Sequence, residues 1–82
     1  MPKYKPGDKV SLRKDLVYDQ IYRMEDGDAS DCVTRAMLMT AKMLPFATIQ
    51  GVATNGEYYL EEDNEYLWTD GMIEGLYTEV AP

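Results

Sequence analysis

One turn constrains this chain more than anything else in it. Asn55 and Gly56 separate two short runs rich in strand-forming residues, 46–53 and 57–61. Asn-Gly between such runs is a strong short-range hairpin signal, because both residues tolerate the positive φ that a two-residue turn demands. In the returning run the side chains alternate. Tyr58 and Leu60 share one face, and Glu57, Tyr59 and Glu61 share the other, which points them outward.

Further turn signals cut the rest into short pieces. Pro6, Gly7 and Asp8 lead into residues 9–13, where Val10 and Leu12 alternate with polar neighbours at the period of a half-buried strand. Residues 15–24 read as an ordered loop with room for a short strand, followed by a polar break at 25–28. Residues 31–44 are rich in Ala, Met and Leu and predict a helix, capped at Asp28 or Ser30 and ended by Pro45. Its apolar side is expected to hold Val33, Ala36, Met37, Thr40, Met43 and Leu44. Asp63 and Asn64 offer another turn before a strand at 65–69, with Tyr66 and Trp68 on one face. Thr69 to Met72 can cap a single helical turn, and residues 76–80 make a last strand. Five short strands in 82 residues, with one helix, predict a mainly β fold closed as a small barrel.

An 82-residue chain is below the common domain size of about 100–150 residues, so a single domain spanning 1–82 is expected. Residues 1–9 are polar, unlike a secretory leader, and no apolar run is long enough to cross a bilayer. The lone Cys32 has no internal disulfide partner, which fits a reducing cytoplasm. Charge is unevenly placed. The net charge of −7 combines 15 acids with 8 bases, and every base lies at or before Lys42. The part after Lys42 carries eight acids and no base: Glu57, Glu61, Glu62, Asp63, Glu65, Asp70, Glu74 and Glu79. Phosphate would be repelled by that half, so direct nucleic-acid binding is not expected. A basic protein surface would be attracted to it, although acidic surface also serves solubility alone.

Gly7, Asp8, Lys9 and Val10 resemble the opening of many SH3-like barrels. Together with Thr48 and Ile49, residues 58–63 and residues 68–72, they are similar to a group of small SH3-like proteins of phages and prophages of Gram-positive bacteria. The resemblance implies a five-stranded SH3-like barrel and a bacterial cytoplasmic setting. It covers about half the chain, with two departures: Gly71 stands where that group usually has an acid, and residues 22–45 match poorly. That stretch reads as a helix-containing insertion after the first strand, and as the natural seat of a function particular to this chain.

The chemistry present points away from catalysis. Histidine is absent, which removes the commonest general base near neutral pH. Cys32 lacks a His partner, so it reads as a small apolar residue. The glycines do not form a phosphate-binding motif, and Glu61, Glu62 and Asp63 lack calcium-loop spacing. No metal, cofactor or enzymatic activity is expected.

Three binding readings follow. The first is a protein-binding module of a phage or prophage, using Glu57, Tyr59, Glu61, Glu62, Asp63, Glu65 and Asp70 against a protein partner. The second uses the same acids to inhibit a bacterial host-defence nuclease complex, by occupying a basic nucleic-acid-binding surface. The third is a small homo-oligomeric component, with Met37, Met39 and Met43 forming a homodimer or partner face on the helix.

Overall fold

The computed structural model describes residues 3–25 and 27–77. Within them lie six strands and one α-helix: β1 Lys9–Leu12, β2 Ile21–Arg23, β3 Ser30–Cys32, α1 Arg35–Met43, β4 Ala47–Val52, β5 Tyr58–Leu60 and β6 Ile73–Leu76. A 3-10 turn, Asp70–Met72, precedes β6. The fold is mainly β with one helix. The strands form a four-stranded sheet in the order β5-β4-β1-β6 and a separate β2-β3 pair. The two sheets do not close into a barrel.

Alternation decides which side chains fill the core. In β1, Val10 and Leu12 are buried; in β4, Ala47 and Ile49; in β5, Tyr58 and Leu60. Trp68, Met72, Val33 and Met37 complete a dry centre, where a large apolar side chain contributes about 1.5–3 kcal/mol by leaving water. The strand expected at 65–69 reduces to one bridge. Tyr58 donates its N–H to the Trp68 carbonyl (2.8 Å), and Trp68 returns the bond (2.9 Å). Of the strand expected at 76–80, Leu76 ends β6, which starts earlier at Ile73; residues 78–80 lie outside the described residues.

The Asn55-Gly56 hairpin forms, but with a wider turn than the pattern predicts. Gly56 takes φ of 93° and Asn55 does not take a positive φ, whereas a two-residue turn of the Asn-Gly kind needs both residues positive. Gly56 N–H donates to the Ala53 carbonyl (3.0 Å), and Ala53 N–H donates to that of Glu57 (2.7 Å), so three residues lie between the paired ends.

The helix starts later than its composition predicts. Residues 30–32 are claimed by pairing with β2, in the register Ile21↔Cys32 and Arg23↔Ser30. Thr34 therefore caps the helix in place of Asp28 or Ser30, accepting from Met37 N–H at 3.1 Å. The buried stripe is Met37 and Ala41, flanked by half-buried Leu38 and Leu44. Ala36 and Met43 fall on the open side, against the expectation for that face. At the other end, Lys14 Nζ donates to the Ala41 and Leu44 carbonyls, where a cation suits the helix terminus.

Tyr58 ties three parts of the chain together. Its ring is fully buried and meets Tyr4 edge-on at 5.5 Å between centroids. Its hydroxyl oxygen accepts from the Lys3 (2.9 Å) and Tyr4 (3.2 Å) backbone N–H groups. Tyr58→Phe removes that acceptor and orphans a buried N–H, so it is expected to lower stability by about 1–3 kcal/mol in urea unfolding. An unchanged midpoint would mean that water serves the Lys3 and Tyr4 amides equally well.

Candidate functional site

The segment between β1 and β4 is held at its hairpin end by the 3-10 turn. Glu25 N–H donates to Asp70 Oδ1 (2.8 Å), and Asp70 N–H reaches the Met24 sulfur (3.3 Å). The approach is close enough to dictate the next residue. A Cβ placed on Gly71 would stand 2.8 Å from the Arg23 carbonyl oxygen. That close approach of the 3-10 turn to β2 gives a physical reason for glycine at this position. Asp70, expected on the binding surface, is instead buried and occupied in holding the hairpin.

Glu57 also lies inside, at 1% exposure, against the outward placement that alternation implied. The reason is the wider turn: Glu57 is the residue that closes it, so it does not continue the strand's alternation. Its Oε2 accepts from Asn55 Nδ2 (2.7 Å) and its N–H donates to Asn55 Oδ1 (3.0 Å). Burial pushes its carboxyl above the usual range, and Asp31 of β3, which reaches it, pushes the same way. Asp63 is half-buried, and burial raises its carboxyl too, while the nearby Trp68 indole opposes that shift. Asp63 Oδ2 and Trp68 Nε1 are both buried without a well-formed hydrogen bond.

Three of the remaining acids form an outer rim, while exposed Glu74 lies on β6 at the other edge of the sheet. Glu61, Glu62 and Glu65 are exposed, and Tyr59 is 38% exposed on the outward side of β5. Glu62 is anchored, because its carboxylate accepts from Thr48 N–H (2.8 Å) and Thr48 Oγ1 (3.1 Å). Among the described residues the ion pairs are Lys3–Glu25 and Arg13–Asp15, and neither involves the rim. On the helix, Met37 is core and unavailable to a partner, while Met39 and Met43 are 61% and 75% exposed.

Two features escaped the sequence reading. One is the meeting of Asp31 with Glu57, which depends on the β2-β3 pairing. The other is an open groove of about 630 Å³ between Arg13, Lys14 and Asp15 on one side and Gly71, Ile73 and Glu74 on the other. Its bases are already engaged, Arg13 by Asp15 and the Gly71 carbonyl, Lys14 by the helix end. Cys32 is exposed on β3, not a core residue. Among the described residues no three of Asp, Glu and Cys gather as a metal-binding group, and no helix is long and apolar enough to cross a membrane.

No family model, curated protein or solved structure matches this chain. The site is therefore read from its own geometry.

Because Gly71 faces backbone and not a flexible side chain, Gly71→Ala is expected to destabilise by about 1–3 kcal/mol. The amides of β2 and β3 should lose exchange protection before those of β1 and β4. Equal loss in all four strands would show that the close approach does not set the hairpin's position.

Proposed function

We propose that this chain is a small non-catalytic protein-binding module, and that it docks a basic partner surface on the rim formed by Glu61, Glu62 and Glu65 beside Tyr59. The carrying observation is that, among the described residues, none of these exposed acids is held in an ion pair. A carboxylate cluster left uncompensated at a surface attracts a positive partner over roughly a Debye length, about 8–10 Å at ordinary salt. Tyr59 adds an aromatic face with a polar tip, a combination suited to interfaces.

The SH3-like barrel of Gram-positive phages and prophages is part of this reading. Two observations support it. β1 pairs with both β4 and β6, which brings the first and last strands together. The Tyr58–Trp68 bridge then extends the order to five adjacent segments. The insertion after the first strand carries the β2-β3 hairpin and α1. A bacterial cytoplasmic setting belongs to the same resemblance.

Inhibition of a host-defence nuclease complex would draw on the same rim, but it needs a longer row of charge. Glu57 and Asp70 are withdrawn from that row into the interior, so the general protein-binding reading is favoured. A homo-oligomeric role would rest on Met39 and Met43 without Met37.

The test is capture from a Gram-positive lysate on the immobilised protein, at low and high salt, beside the double variant Glu61→Lys/Glu65→Lys. That variant spares Glu62 and its bonds to Thr48, so the fold is expected to stand. A basic protein should be retained at low salt, released at high salt and lost with the double variant. Tyr59→Ala should weaken retention without changing its salt dependence. Equal retention by the double variant would rule out the rim.

A further inference from the structure

The interior holds a carboxylate whose second oxygen has no partner. Glu57 Oε1 is buried and makes no hydrogen bond, while Oε2 is satisfied by Asn55 Nδ2. The charged group that acts on Glu57 is the Asp31 carboxylate, brought over by β3; from its own turn comes the neutral Asn55. Among the described residues, no base acts on it. Two ionised carboxylates can only accept, so this contact is repulsive when both are charged. It becomes a hydrogen bond when one of them carries a proton.

We propose that Glu57 and Asp31 together hold one proton, and that this proton latches the β2-β3 hairpin to the β4-β5 turn, so that the hairpin loosens when the proton is lost to solvent. The inference is independent of the acidic rim. The latch joins two elements that no strand pairing connects, since β2 and β3 pair with each other alone. The hairpin's other anchor is Asp70, which accepts from the Glu25 backbone N–H, and the neighbouring Met24 side chain lies against the β4-β5 turn, its Cε 3.9 Å from where a Cβ on Gly56 would stand.

The direction follows from linkage. The docked hairpin holds the Glu57 carboxyl above its ordinary value of 4.5, so the docked state binds the proton more tightly than the open one. The contribution to docking is complete below that ordinary value and is lost as pH rises through the raised one. Across this window, docking should weaken about tenfold per pH unit.

The experiment is backbone amide exchange on the full chain between pH 4.5 and 7.5, corrected for intrinsic rates. The wild type is compared with Glu57→Gln, whose amide keeps an acceptor for Asn55 and donates to Asp31 without titrating. In the wild type, protection of the β2 and β3 amides should fall with rising pH while β1 and β4 hold. In Glu57→Gln it should stay flat. Should that variant fail to fold, Asp31→Asn is expected to give the same flat profile. Wild-type protection that ignores pH, or the same slope in both variants, would overturn the latch. So would calcium added at neutral pH restoring protection as acid does, which would assign the pair to a cation.

Discussion

Tyr58 is the residue on which the rest of this fold hangs. Its backbone completes the β4-β5 pairing and bridges to Trp68, and its hydroxyl collects the amides of Lys3 and Tyr4. Small domains bury only about 60% of the surface their unfolded chains expose, so few residues reach the centre. A tyrosine placed there must find a partner for its hydroxyl, and the partner it finds is the chain's own leading segment. One buried side chain thereby orders the start of the chain, the central hairpin and the segment before the 3-10 turn.

The segment between β1 and β4 is organised by a second constraint, the close approach of the 3-10 turn to β2. Backbone meets backbone at Gly71, and Asp70 satisfies the Glu25 amide there. A hairpin of two three-residue strands is marginal alone, so it depends on what it docks against. Charge follows from the same architecture. Two acids of the base-free half are drawn inside for structural work, exposed Glu61, Glu62 and Glu65 follow Tyr59 in the chain, and exposed Glu74 lies apart on β6. A uniform acidic surface becomes a short rim with a defined place on the sheet.

Much of the body was legible in the sequence because its signals are local. The alternation of Tyr58 and Leu60 and the stop at Pro45 each rest on the period or chemistry of a few neighbours. The misreadings share a different origin. Ser30, Asp31 and Cys32 carry no strand pattern; they form β3 because β2 lies across from them. That pairing moves the helix cap to Thr34 and turns Met43 outward. Glu57 reads as a surface residue until the turn widens by one position. Of the predicted binding residues, Tyr59, Glu61, Glu62 and Glu65 come together on one edge, while Glu57 and Asp70 belong to the interior. The Asp31–Glu57 contact joins residues 26 positions apart, and no short-range signal could reveal it.

The central claim is that the Tyr58 knot and the sheet form one cooperative unit, and the single tryptophan makes it directly measurable. Trp68 is fully buried and bonded through its backbone to Tyr58. Urea unfolding should be followed in parallel by Trp68 fluorescence and by far-ultraviolet circular dichroism. The account predicts a single transition, with both signals changing at the same urea concentration. Trp68 becoming exposed at lower urea, while the sheet signal persists, would contradict it and place the organising contact elsewhere.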